Sequence, residues 1–344
     1  MTSPEAVAPR VSVVIPAYNA SLTVSAAIES VRAQSLSDFE IIVVDDGSTD
    51  DTGARVAAID DPRLRVIHAS HDGPAQARNR GIEAARGEFI TFLDADDLWT
   101  ADKLESQVAA LEADPGAGAV YSWTAFVDEQ GRYLFAKRPQ HDRGDVYGEL
   151  LVTFFLASGS NVLARTECVR SVGRFDGSVQ PVEDWEYWLR AARTHRFAVV
   201  PKYQVLYRFS SASASAAVEK YQDAIDRVSR QFFADSPPEL RARRSECLSN
   251  ASLHACLLHL ARTTAPDRHQ RAGRALRRAI ALRPASLAST RIMALVGSWL
   301  ALGVVPADAV SDATQALLRA YGRWMLRTTP ALREFALESG LDRA

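Results

Sequence analysis

Phe89-Ile90-Thr91-Phe92-Leu93-Asp94-Ala95-Asp96-Asp97 is an apolar strand that ends in three carboxylates. Crowding carboxylates costs free energy unless a cation offsets their repulsion. Alternate residues of an extended chain share a face, so Asp94 and Asp96 can converge on one point while Asp97 points elsewhere or continues into the following turn. Paired hard oxygens with room for outer ligands suit Mg²⁺ or Mn²⁺, above all an ion already carrying a diphosphate. The plainer alternative is that Asp96 or Asp97 caps a helix starting near Leu98.

Two more strand ends bear polar groups. Phe39-Glu-Ile-Ile-Val-Val-Asp45-Asp46 runs into Gly47-Ser48-Thr49-Asp50, and Val11–Ile15 runs into Pro16-Ala17-Tyr18-Asn19. Short β-branched runs that empty into turn residues read as buried parallel strands. Ligands of open α/β sheets bind outside the carboxyl ends of the strands, so the three ends describe one site. Asp45 and Asp46 can instead cap a helix over 50–59.

The same alternation runs from Val11 to about Val120. Strands are expected at 11–15, 39–45, 64–67, 88–93 and 118–122, and helices at 21–33, 51–60, 74–86 and 101–113. That order argues an α/β fold, a mostly parallel sheet with helices on both faces. Helix 21–33 rests on Leu22, Ala26, Ala27 and Val31 at helical spacing, with Ser21 as its cap.

Thr124–Asp128 and Arg132–Phe135 flank a turn as a hairpin. Then come a helix at 144–156, a strand at Asn161–Ala164, helices at 166–172 and 184–194, and strand pieces at 197–200 and 203–209. The Ser/Ala stretch 210–217 marks a boundary. Beyond it, helical patterns broken at Ser236-Pro237-Pro238, Thr264–Pro266, Pro284, Pro306 and Pro330 predict a small α-helical region. The division expected is a flexible N-terminus (1–10), a catalytic domain (11–215) and an α-helical accessory domain (216–344).

Composition narrows the class. The 344 residues carry a formal net charge of −2, so no basic field argues for nucleic acid, and no aromatic-interleaved basic stripe appears. Cys168, Cys247 and Cys256 are odd in number and show no disulfide spacing, which fits a reduced, cytoplasmic compartment. Met1–Arg10 lacks the apolar core of a signal peptide. Ile292–Val305 is apolar but shorter than the roughly 18–20 residues that cross a bilayer, so a buried helix is expected there. The seven histidines show no zinc-site spacing.

The remaining polar clusters supply partners. Arg78, in Ala77-Arg78-Asn79-Arg80-Gly81, can pair a nucleotide phosphate and Asn79 can hydrogen-bond within the site. Glu183-Asp184-Trp185 opens an aromatic-rich helix. Asp184 is the candidate general base for an incoming hydroxyl, with Glu183 beside it, although a carboxylate there can also be a cap. Trp185 and Trp188 can line an acceptor pocket. Asn161 follows Ser158-Gly159-Ser160, where a ligand can approach the backbone closely. Arg208 is a candidate cation for a leaving diphosphate.

Taken in order, Val-Ser-Val-Val-Ile-Pro-Ala-Tyr-Asn (11–19), Val-Val-Asp-Asp-Gly-Ser-Thr-Asp (43–50), Ala-Arg-Asn-Arg-Gly (77–81), Leu-Asp-Ala-Asp-Asp (93–97) and Glu-Asp-Trp (183–185) closely resemble the family 2 inverting glycosyltransferases. The resemblance covers roughly residues 8–210. It implies a GT-A fold, a nucleotide-sugar donor, a Mn²⁺ or Mg²⁺ cofactor, and a glycan or glycolipid acceptor in bacterial cell-surface polysaccharide or glycoconjugate synthesis. By that likeness Pro16, Ala17, Tyr18 and Asn19 belong to the donor loop, and Asp45 or Asp46 hydrogen-bonds the base or its ribose. Arg78 lies near the nucleotide, Asp94 faces the ribose, Asp96 holds the metal and Asp184 is the base. One departure is Phe209-Ser210-Ser211, where many relatives carry a histidine; it leaves the phosphate-side role of this segment open.

Two other classes compete with this reading. A sugar-1-phosphate nucleotidyltransferase needs a Gly-rich basic loop after the first strand, where this chain has Pro-Ala-Tyr-Asn. A non-catalytic nucleotide-binding interaction protein has no need of intact Asp94, Asp96 and Asp184. The helical tail lies outside the resemblance. Its role stays open between a partner site, a homodimer contact and peripheral contact with the inner face of the cell membrane.

Overall fold

A computed structural model describes residues 8–209, 218–261, 267–285, 319–320, 322–327 and 329–338. The Ser/Ala stretch 210–217, the break at 264–266, the apolar run 292–305 and Pro306 lie outside the described residues, as do residues 1–7.

The first half of the sheet follows the βα alternation. Strands β1 (Val11–Ala17), β2 (Phe39–Asp45), β3 (Leu64–His68) and β4 (Phe89–Phe92) pair in parallel in the order β3-β2-β1-β4. β1 and β2 are buried on both faces, which is why they read as continuous β-branched runs. Helix α1 (Val24–Arg32) buries Val24, Ala27, Ile28 and Val31. It starts later than predicted: Leu22 is 92% exposed, and Ser21 instead donates its backbone N–H to Asp50 Oδ2 at 3.1 Å.

Helices α2 (Thr52–Ala57), α3 (Pro74–Ala84) and α4 (Lys103–Ala113) complete this half. α3 lies so close to β1 that a Cβ on Gly81 would stand 2.1 Å from Val14 Cγ1. Only glycine permits that approach, and it brings Arg78 up to the strand ends.

Beyond β4 the sheet is mixed. β5 (Leu98–Trp99), β6 (Ala117–Val127), β7 (Tyr133–Ala136), β8 (Leu163–Arg165) and β9 (Arg196–Arg208) extend it as β4-β8-β6-β9-β5, with β7 paired to β6. β6 and β9 are parallel, whereas β8 runs antiparallel to both β4 and β6. The two strand pieces expected at 197–200 and 203–209 are one strand. Pro201 falls where the β6–β9 register shifts, so its missing N–H removes no ladder bond there.

Helices α5 (Tyr147–Val152), α6 (Thr166–Val172) and α7 (Glu183–Thr194) pack on one face of the sheet. The apolar groups of α1 and α4 fill the other. In the tail, α8 (Val218–Ala234), α9 (Pro238–Arg241), α10 (Arg244–Ala261), α11 (Arg268–Leu282) and α12 (Pro330–Glu338) follow the breaks at Ser236-Pro237-Pro238, Pro284 and Pro330. These helices share core with the sheet region. Phe232 and Phe233 join Trp185, Leu258 and Leu276 join Phe126, and Leu332 and Phe335 join Trp123 and Tyr203.

Candidate active site

At the end of β1, Tyr18 is 44% exposed and its ring stacks on His71 with centroids 3.9 Å apart. That spacing excludes a base from between the two rings. Pro16 is half-buried, and the Ala17 carbonyl accepts the N–H of Asp46 at 2.8 Å. Asn19 takes a positive φ of 48°, and its Oδ1 accepts the Thr49 N–H at 2.8 Å. Asn19 therefore staples two loops through its side-chain oxygen while the residue stays exposed at the strand end.

The two acids after β2 differ in how fully they are used. Asp46 accepts the backbone N–H of Gly73 at 2.8 Å and of Asp72 at 3.1 Å, and stands 3.1 Å from His71 Nδ1. Asp45 accepts only the Ser48 N–H at 3.0 Å, with His68 Nδ1 at 3.3 Å. Neither caps α2.

The carboxylates after β4 lie on a turn and not on an extended strand, because the Asp97 N–H donates to the Asp94 carbonyl at 3.0 Å. Extended-chain alternation therefore does not set their directions. Asp94 is paired to Arg78, whose Nη2 lies 2.6 Å from Asp94 Oδ1. Nη1 of the same guanidinium lies 2.8 Å from Glu183 Oε1, at the first turn of α7. Arg78 thus bridges the acidic turn and the helix that carries Asp184.

Its side chain is 5% exposed, so the expected phosphate contact gives way to a buried bridge between carboxylates. A Cβ on Gly159 would stand 2.9 Å from Arg78 Nη2, and the missing side chain leaves room for that bridge.

One guanidinium faces three acids here. Burial raises the Asp184 carboxyl first, and the charges of Glu183 and Asp94 raise it further against the pull of Arg78, to about 7. A carboxyl poised near neutral pH suits a general base. Burial, then the charges of Asp96 and Asp94, also push Asp97 well above the carboxylate range.

Four sequence candidates prove to be core. Asn79 makes a two-way backbone pair with Phe175, donating at 3.1 Å and accepting at 2.7 Å. Asn161 is fully buried, donating to Ser122, Thr124 and Leu156 and accepting the Ser122 N–H at 2.8 Å. Trp185 and Trp188 are 2% and 1% exposed, and Trp185 Nε1 donates to the Leu150 carbonyl at 2.9 Å. Satisfied or enclosed groups of this kind cannot line an acceptor pocket.

Arg208 sits beside the acidic turn but spends Nε on the Asp96 carbonyl at 2.9 Å and Nη1 on the Glu129 carbonyl at 2.7 Å. Sequence reasoning passed over Ser160 and Asp97 as working parts. The one signal available for Asp97 was a third carboxylate in a row.

Among the described residues no three His, Cys, Asp or Glu side chains form a ready cage for a metal. The donor set nevertheless fits a hard cation. Asp94, its side chain 25% exposed, and half-buried Asp96 sit where their charges bear on a buried third carboxyl. Carboxylates short of a full coordination shell suit Mg²⁺ or Mn²⁺ arriving with diphosphate and water ligands.

Comparison with known proteins bears on family and fold. A family model described as glycosyl transferase family 2 matches residues 12–172. The Escherichia coli UDP-Glc:alpha-D-GlcNAc-diphosphoundecaprenol beta-1,3-glucosyltransferase WfaP is 30% identical over 223 residues, covering 62% of this chain and 82% of that protein. A Rickettsia felis uncharacterized glycosyltransferase is 33% identical over 196 residues, covering 56% of this chain and 32% of that protein. This chain thus spans about a third or less of the length of several curated relatives from Rickettsia.

Among solved structures, S. aureus TarS 1–349 superposes with a TM-score of 0.56 at 20% identity, covering 92% of this chain and 91% of that one, a likeness of fold alone. The Pyrobaculum calidifontis mannosyltransferase PcManGT, solved in complex with GDP-Man and Mn²⁺, gives a TM-score of 0.54 at 25% identity, covering 94% of this chain and 88% of that one. The chain has a GT-A fold and belongs to glycosyl transferase family 2.

Proposed function

We propose that the chain is a divalent-metal-dependent, inverting hexosyltransferase that moves a sugar from a nucleotide diphosphate to a hydroxyl of a glycan or glycolipid, in bacterial surface polysaccharide or glycoconjugate synthesis. The observation that supports this reading is the Asp94–Arg78–Glu183 bridge at the helix turn that carries Asp184, whose carboxyl feels the charge of Asp94. The relatives' names agree: WfaP uses UDP-Glc and a diphosphoundecaprenol-linked sugar, and PcManGT was solved with GDP-Man and Mn²⁺.

In the proposed step Asp184 takes the proton of the acceptor hydroxyl as its oxygen bonds to the anomeric carbon. The bond from that carbon to the diphosphate oxygen breaks, and one displacement inverts the centre. Arg78 keeps Glu183 and Asp94 in place around the reacting groups. Tyr18 offers a ring to the nucleobase, and Asp45, with fewer internal partners than Asp46, hydrogen-bonds it. Asp94 and Asp96 would hold a Mn²⁺ or Mg²⁺ that offsets the charge of the departing diphosphate.

Residues 11–215 would form the catalytic part and 216–344 an accessory region. No described helix is long and apolar enough to cross a membrane. A cytoplasmic enzyme meeting its lipid-linked acceptor at the inner membrane face is the reading we favour.

The decisive experiment is Asp184→Asn assayed with UDP- and GDP-sugars and Mn²⁺. Transfer should fall by about 10²–10⁴-fold, the usual worth of a general base, with nucleotide affinity unchanged. Transfer at the parental rate would remove Asp184 from this role.

A further inference from the structure

Asp97 takes no part in the step above, yet it is fully buried and its two oxygens tie three segments together. Oδ1 accepts the backbone N–H of Arg208, at the end of β9, at 3.0 Å. Oδ2 accepts the Ser160 hydroxyl at 2.6 Å. The same Ser160 oxygen accepts the backbone N–H of Asp94 at 3.0 Å. Arg208 Nε closes the circuit on the Asp96 carbonyl at 2.9 Å. The turn is therefore held at Asp94 through Ser160, at Asp96 through Arg208, and at Asp97 by both.

The Ser160 side of this hub is itself rigid. Trp99 Nε1 donates to the Ser160 carbonyl at 2.9 Å, and the Ser160 N–H donates to Ser158 Oγ at 3.2 Å. Just upstream, Ala157 takes a φ of 74°, a left-handed backbone that a non-glycine residue keeps only where its surroundings over-determine it. With both oxygens occupied and no exposure, Asp97 is built to hold the turn, not to meet a ligand.

We infer that Asp97 and Ser160 are positioning residues that fix the relative placement of Asp94 and Asp96 for a divalent cation, an inference that rests on the metal-dependent reading above. Groups behind metal ligands set ligand orientation, and their loss usually weakens metal affinity about 10–100-fold.

The test is a Mn²⁺ titration followed by electron paramagnetic resonance of the free ion, with saturating UDP and separately with GDP. Ser160→Ala should weaken Mn²⁺ binding about 10–100-fold. Nucleotide binding in EDTA should stay at the parental level. Asp97→Asn keeps the size of the side chain and an oxygen for the Arg208 N–H, so it guards against a fold lost in Ser160→Ala; it should weaken Mn²⁺ by a smaller factor.

Parental Mn²⁺ affinity in both variants overturns the inference, even if both melt at lower temperature, because that is the signature of a merely structural hub. A parental protein that takes up no Mn²⁺ with either nucleotide overturns the metal-dependent reading itself, and this inference with it.

Discussion

Arg78 is the residue on which the site turns, because one buried guanidinium neutralises carboxylates from two distant segments. Replacing it by Gln leaves Glu183 and Asp94 facing each other without their cation. Breaking a buried pair from one side costs about 3–5 kcal/mol. Urea denaturation of Arg78→Gln should show a loss of that order, and Arg78→Lys, whose single ammonium cannot fork between two acids, should fall between the two.

Asp184 carries a second residue-scale consequence. Its carboxyl is raised to about 7, and a base works only when ionised. kcat/KM should therefore climb as pH rises through about 7 and level off above it. A profile already flat from pH 5 upward would contradict the assignment.

At this scale the sequence singled out the acids that Arg78 links but could not rank their partners. Arg78 reads the same whether it faces phosphate or carboxylate, since the choice depends on Glu183 arriving from 105 positions away. Asn161 likewise reads the same in a pocket or in a core, and only its full set of backbone partners decides.

Among the elements, α3 and β1 show how tightly the site's supports are packed. Gly81→Ala would place a methyl 2.1 Å from Val14, and overpacking of this kind costs roughly 1–3 kcal/mol. Val14→Ala in the same chain should restore part of the loss, measured by thermal melts of the single and double variants. An additive outcome would mean that α3 shifts to make room.

The βα alternation through β4 was legible because buried parallel strands leave unbroken apolar runs. β5, with two residues, leaves no such trace. The start of α1 was misplaced because Leu22 has the right spacing but the chain has not yet turned into the helix. Pro201 read as a strand break because sequence does not show where a register shift will absorb it.

Across the whole molecule the helical tail and the sheet share their apolar interior. Phe232 of α8 is 1% exposed and lies in one cluster with Trp185 and Phe92. Phe232→Ala should cost about 3–5 kcal/mol. Calorimetry should show the site-bearing sheet and the tail unfolding together at the lower temperature; two separated transitions would mean that they melt independently. The sequence marked the change of texture near residue 216 but not this sharing, because apolar helix faces do not announce what covers them.

The three cysteines bear on the same point. Cys168 lies in α6, and Cys247 and Cys256 lie in α10; all three are buried with thiols pushed up to about 12, chiefly by desolvation. An alkylating reagent consumes thiolate, so the native chain presents it with almost nothing. Any labelling reports a breathing motion, and the site that reacts tells which part of the chain breathed.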